Sequence, residues 1–190
     1  MEKVILGNEI ILYRAYFTPS IPKEVLLFGV QEYINKNKTM EACDAFDYHG
    51  EFDELNEIEK AGINICLDIA KQENISYTEH NHNSWINRVR AHNPVQYFFA
   101  NEPYHNHVAL NEGSARFVPT YTFIYYIQMP NNLQKDEGQL IIKDKQGNAH
   151  SILPKENEFL IHMSDLDHYP KDAKNSTVDR IVFATNVGFK

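Results

Sequence analysis

A chain of 190 residues and 22.1 kDa is long enough for one sizeable core and short for two. With 43% apolar and 23% charged residues it lies near soluble globular averages, which excludes a disordered or fibrous chain. The formal charge of −8, from 18 Lys+Arg against 26 Asp+Glu, repels phosphate backbones. Because the basic residues do not cluster, nucleic acid is not expected as the main partner. No apolar run approaches the roughly 18 to 20 residues of a membrane helix, and the apolar stretch after Met1 is too short for a signal peptide. A cytoplasmic, membrane-free protein is the expectation. Cys43 and Cys66 match no disulfide framework or zinc ribbon and read as ordinary thiols.

In chain order, the first 78 residues carry helix signals. Pro22 opens a predicted helix to Asn35, with Val25, Leu26, Val30, Tyr33 and Ile34 near helical spacing. A second is predicted from Asp53 to Gln72, where Leu55, Ile58, Gly62, Ile65, Cys66 and Ile69 recur at steps of three and four. Its stripe suits packing on a sheet. After Ser84 the chain changes to short aromatic runs separated by Pro, Gly and Asn, the pattern of antiparallel strands. Strands are predicted at Trp85–Val89, Val95–Ala100, Tyr104–Val108, Tyr121–Met129, Gln139–Lys143, Ala149–Ile152, Glu158–His162 and Arg180–Val187. Gln146-Gly147-Asn148 tolerates positive φ and predicts a hairpin. Strands this numerous and short suit a two-sheet jelly roll. The expected class is therefore α+β, mainly β, with N-terminal helices on one face of the roll. Residues 1–190 read as one domain, with 1–83 a helical and mixed support region and 84–190 the jelly-roll core.

Nine histidines are many for this length. In His105-Asn106-His107, strand alternation sends both imidazoles to one face, where they can meet one metal ion. His168 follows a predicted strand and can return to the same spot as a third ligand. Three nitrogens on one side of a metal leave the other positions for substrate and oxygen. Arg180 opens the last predicted strand with Val182, Ala184 and Asn186 on its face. A guanidinium among apolar neighbours needs an anion, either a bound carboxylate in bidentate geometry or a salt bridge to Asp165, Asp167 or Asp179. His80-Asn81-His82-Asn83 reads as a turn, His49, His92 and His150 as isolated, and His162 as part of a half-buried strand.

From about Val95 to Val187 these motifs, in order and spacing, resemble the double-stranded β-helix core of iron(II)- and 2-oxoglutarate-dependent dioxygenases, particularly the prolyl-hydroxylase-like branch. Tyr104-His105-Asn106-His107 sits where that family has its HxD or HxH motif. Phe123-Ile124-Tyr125-Tyr126-Ile127, followed by Pro130, resembles its third core strand, and Glu137-Gly138-Gln139-Leu140-Ile141-Ile142 its glycine-rich strand. Pro154 to Ile161 resembles the approach to the distal histidine, which His168 would be, 61 residues beyond His107. Arg180 stands where the cosubstrate arginine belongs.

The resemblance implies a hydroxylase using Fe(II), 2-oxoglutarate and O2 on an unidentified substrate: a peptide, nucleotide or small metabolite. His105, His107 and His168 would hold iron and Arg180 would clamp the distal carboxylate of 2-oxoglutarate. Tyr126 would reach the same carboxylate, and Leu140 would line the pocket. Two departures stand out. His107 replaces the usual carboxylate ligand, with Glu112, Asp165 and Asp167 as the alternative acidic ligands. The residues after Arg180 lack the Ser or Thr frequent in prolyl hydroxylases, since Thr185 points to the other face. Trp85, Phe98, Phe99 and Arg116 lie in segments expected to hold the prime substrate. Two other readings keep the fold. One is a cupin-type metalloprotein, without 2-oxoglutarate, using His105, His107, Glu112 and His168. The other is a non-catalytic jelly-roll binding or structural protein.

Overall fold

Every residue from Tyr121 to Ile127 is buried, so this run must be covered on both faces. It is β5 of a three-layer structure: helices, a large sheet and a small sheet. The computed structural model describes residues 1–7, 10–37, 43–50, 52–91, 104–108 and 120–190. Along the described residues run β1 (Glu2–Leu6), β2 (Ile10–Tyr16), α1 (Lys23–Lys36), β3 (Cys43–Tyr48), α2 (Asp53–Gln72), β4 (His80–Val89) and β5 (Tyr121–Gln128). They are followed by β6 (Leu140–Lys143), β7 (Ala149–Ile152), β8 (Glu158–Met163), β9 (His168–Pro170) and β10 (Arg180–Phe189). All described strand pairs are antiparallel. The large sheet has the order β1-β2-β8-β5-β10-β4-β3 and the small one β7-β6-β9. This is the expected jelly roll.

Alternation along the central strands sorts side chains into two cores. Phe123, Tyr125, Phe159, Ile161 and Phe183 face the helices, where they meet Leu26, Val30 and Ile34 of α1 and Leu55, Ile58, Cys66 and Ile69 of α2. Ile124, Tyr126, Leu160, Val182 and Ala184 face the small sheet and pack with Leu140, Ile142 and Ile152. The second face matters for function, because the candidate site lies in this inter-sheet space.

The structure revises several expectations. Three strands, β1, β2 and β3, come from the part that reads as helical, and they extend the large sheet on both sides. His80-Asn81-His82-Asn83 is not a turn. It begins β4, because the long β10 supplies a pairing partner residue by residue, from Phe189 opposite His80 to Asn186 opposite Asn83. Tyr104–Val108 is not a strand, having one isolated bridge at His105. Val95–Ala100 lies outside the described residues. In α1 the buried stripe is Leu26, Val30 and Ile34, while Val25 is exposed. His162 is fully buried rather than half-buried. The hairpin at Gly147 joins β6 to β7 as expected, with φ of 84° at the glycine. No helix among the described residues is long and apolar enough to cross a membrane.

Gly62 lets α2 approach the sheet. A Cβ there would stand 2.5 Å from the Phe123 ring. That ring is fully buried, with Phe159 5.4 Å away, and has no room to retreat. Alanine in an exposed helix interior would stabilise by about 1 kcal/mol relative to glycine. At this position overpacking outweighs that gain, so Gly62→Ala should destabilise by about 1–3 kcal/mol in urea unfolding. A more stable variant would show that α2 does not sit against Phe123.

Candidate metal centre

His105, His107 and His168 are brought together by backbone pairing. The His105 N–H donates to the His168 carbonyl at 3.1 Å, and the His168 N–H donates to the His105 carbonyl at 2.9 Å. Two residues on, the His107 N–H donates to the Ser164 carbonyl at 2.9 Å. These bonds tie the HxH segment to the turn between β8 and β9. β9 is itself held by β6, with His168 opposite Ile142. Tyr104 anchors the approach, its ring 4.7 Å from Tyr169 and under Lys143 Nζ at 3.6 Å.

One ligand nitrogen from each histidine lies within 4.8 Å of the other two. The Nε2 atoms of His107 and His168 are 3.3 Å apart. Two nitrogens about 2.1 Å from one ion, at about 90–110° to each other, stand roughly 3.0–3.4 Å apart, so this pair fits adjacent positions on a single metal. The His168 Nδ1 donates to the Leu166 carbonyl at 2.9 Å, which leaves the Nε2 lone pair for a metal. Burial pushes the pKa of both His107 and His168 well below the ordinary imidazole value, and the neighbouring histidines push the same way. Neutral imidazoles are the metal-binding form. Such a donor set suits Fe, Zn, Cu or Ni.

No carboxylate among the described residues joins the three histidines. Asp165 is exposed, and Asp167 Oδ1 accepts from Asn106 Nδ2 at 3.0 Å. Glu112 lies outside the described residues, as do Phe98, Phe99 and Arg116. Trp85 packs against His107 with ring centroids 5.1 Å apart.

Arg180, Tyr126 and Leu140 are all buried. Tyr126 and Leu140 share the inter-sheet core, and Arg180 precedes Val182 on the same face of β10. Burial raises the Tyr126 phenol pKa, and the nearby guanidiniums of Arg180 and Arg14 only partly offset this, so the hydroxyl stays protonated as a donor. Sequence reasoning gave Glu158 no role and His162 only a place in a half-buried strand. Glu158 is fully buried and accepts from Arg14 Nε at 2.6 Å and from the Lys155 N–H at 2.9 Å. His162 lies against His168, ring centroids 4.5 Å apart, and burial lowers its pKa to about 4. The available signal was period-two alternation, which puts Glu158, Leu160 and His162 on one face of β8.

No protein-family model and no curated protein matches the chain. Solved structures do. A prolyl-4-hydroxylase from Pseudomonas putida superposes with a TM-score of 0.64 at 12% identity, covering 94% of this chain and 92% of its own. The fold is that of the prolyl-4-hydroxylases. A prolyl hydroxylase from Trichoplax adhaerens, in complex with a hypoxia-inducible factor peptide fragment, gives a TM-score of 0.58 at 15% identity over 94% and 83% of the two chains. HygX from Streptomyces hygroscopicus, with nickel and 2-oxoglutarate bound, gives 0.55 at 9% identity over 95% and 82%. At such identities the likeness establishes the fold of 2-oxoglutarate oxygenases and leaves their chemistry to be argued from this chain's residues.

Holding buried imidazoles neutral has a consequence for stability. His107, His162 and His168 have folded-state pKa values below the ordinary 6.5, so as the pH falls the unfolded chain takes up protons first. Their contribution to stability is complete above the unfolded value and is lost as the pH drops towards the folded values. The melting temperature of the metal-free protein should therefore fall between about pH 7 and pH 5, and His168→Leu should flatten the slope. A flat profile in the parent would contradict buried neutral imidazoles.

Proposed function

We propose that the chain is an Fe(II)- and 2-oxoglutarate-dependent oxygenase that hydroxylates a second substrate. The observation that carries this reading is the convergence of three histidine nitrogens within 4.8 Å, in a fold shared with 2-oxoglutarate oxygenases. His105, His107 and His168 hold the iron. Arg180 pairs with the distal carboxylate of 2-oxoglutarate, Tyr126 donates its hydroxyl to the same carboxylate, and Leu140 lines the pocket beside them. When bound, iron, 2-oxoglutarate and O2 supply the oxidation of an unactivated C–H bond, with loss of carbon dioxide and formation of succinate.

The protein's part is to orient and to match charge. Three neutral imidazoles leave both charges of a ferrous ion uncompensated by its ligands, and a dianionic keto acid supplies two negative charges. In the buried inter-sheet space the attraction between the two is stronger than in water and offsets the cost of desolvating them. The planar guanidinium of Arg180 offers two parallel donors to one carboxylate, a geometry that lysine cannot reproduce. For the prime substrate, a peptide is favoured over a nucleotide or small metabolite by the peptide complex of the Trichoplax enzyme. The absence of a carboxylate among the described ligand residues keeps two readings as alternatives: a cupin-type metalloprotein without 2-oxoglutarate, and a non-catalytic jelly roll. Neither gives Arg180 or Tyr126 a role in the chemistry.

Anaerobic calorimetry should show one Fe(II) per chain, and His105→Ala, His107→Ala and His168→Ala should each weaken binding at least about tenfold. His107→Asp should retain iron, because carboxylate oxygen also suits it. With iron bound, 2-oxoglutarate should produce a visible charge-transfer band. Arg180→Lys should need about tenfold more 2-oxoglutarate to reach it, and Arg180→Ala should not reach it. Iron binding without the band in the parent would support the cupin reading, and three alanine variants binding like the parent would remove the metal centre.

A further inference from the structure

His162 is a fourth imidazole beside the three candidate ligands, and its environment is incomplete. It projects from β8 into the inter-sheet space, with Leu12 and Thr122 as its cross-strand neighbours. Its Nδ1 donates to the Met163 carbonyl at 2.8 Å, so in the neutral ring Nε2 carries a lone pair. Among the described residues Nε2 is the one buried side-chain nitrogen or oxygen without a hydrogen-bond partner. Neither cross-strand neighbour supplies a donor. Leu12 is apolar, and Thr122 Oγ1 is engaged with Asn186 Oδ1 at 2.8 Å and Ser164 Oγ at 2.9 Å. A buried acceptor left without a donor is costly, so this one points to a ligand that donates.

His162 stands outside the set of nitrogens that lie within 4.8 Å of one another. Its ring nevertheless meets that of His168 at 4.5 Å and 60°. His162 also lies near enough to His105 and His107 for mutual electrostatic repulsion of their charged forms, so all three candidate ligands border it. We propose that His162 is a positioning residue whose Nε2 accepts a hydrogen bond from a donor held on the metal, water when no cosubstrate is present. The inference rests on the metal centre of the proposed function. It extends that centre from three imidazoles to four, three on the ion and one directing an exchangeable ligand.

The side-chain amides separate the two ring nitrogens. Asparagine reproduces the Nδ1 donor towards the Met163 carbonyl but offers nothing at Nε2, whereas glutamine can place an amide oxygen there. Anaerobic titration of the metal-free protein with Co(II) reads affinity and, through the visible bands, the ligand environment, without any turnover. His162→Asn should raise the Co(II) dissociation constant about tenfold or more and shift the bands, while His162→Gln should stay within about threefold of the parent. His162→Leu, apolar like its neighbours, guards against a folding failure and should weaken Co(II) as asparagine does. If the asparagine and leucine variants match the parent in affinity and spectrum, His162 only fills space and the inference is overturned with the metal centre intact. Equal loss in the glutamine and asparagine variants also overturns the acceptor role. A parent that binds no Co(II) overturns both the inference and the metal centre.

Discussion

Two backbone hydrogen bonds between His105 and His168 hold the candidate site together, each residue donating to the other's carbonyl. An antiparallel bridge of this kind places side chains from distant parts of the chain on the same side of the pair. It needs both partners in position. His168 is fixed through β9 and its pairing with β6, and the preceding turn leaves β8 at the centre of the large sheet. The site therefore depends on the small sheet as well as the large one. The three histidines are located by backbone pairing to β9 and to the turn before it.

A second constraint is electrostatic. Histidines crowded in a dry space cannot all be charged, and burial resolves the conflict by keeping His107, His162 and His168 neutral. That leaves several lone pairs and no protein carboxylate among the described ligands. Farther along the same face Arg14 pairs with one buried acid, Glu158, and both it and Arg180 act electrostatically on Tyr126. The inter-sheet space thus holds electron-pair donors suited to a cation.

Much of this was legible in the sequence, for reasons that differ by element. The α2 stripe spans 20 residues, long enough for helical periodicity to stand out, and Asp53–Gln72 forms as expected. The β6–β7 hairpin is local, written in Gly147 and Asn148. The three histidines were legible through spacing, although Tyr104–Val108 is held by a bridge rather than by a strand. What escaped depends on distant partners. Polar His80 to Asn83 read as a turn until β10 supplied a ladder for it. The Arg14–Glu158 pair joins residues 144 positions apart, a separation at which no local pattern operates. His162 looked half-buried because a polar residue in a strand ordinarily faces water, and only the second sheet shows that this face is covered.

The central claim is that one metal ion binds at His105, His107 and His168 with a dicarboxylate reaching Arg180. Anomalous X-ray diffraction at the iron edge, from crystals grown anaerobically with Fe(II) and 2-oxoglutarate, tests it most directly. The account predicts a single strong peak about 2.1 Å from one nitrogen of each of the three histidines, with the distal carboxylate of 2-oxoglutarate against the Arg180 guanidinium. Iron located elsewhere, or 2-oxoglutarate bound away from Arg180, would contradict it.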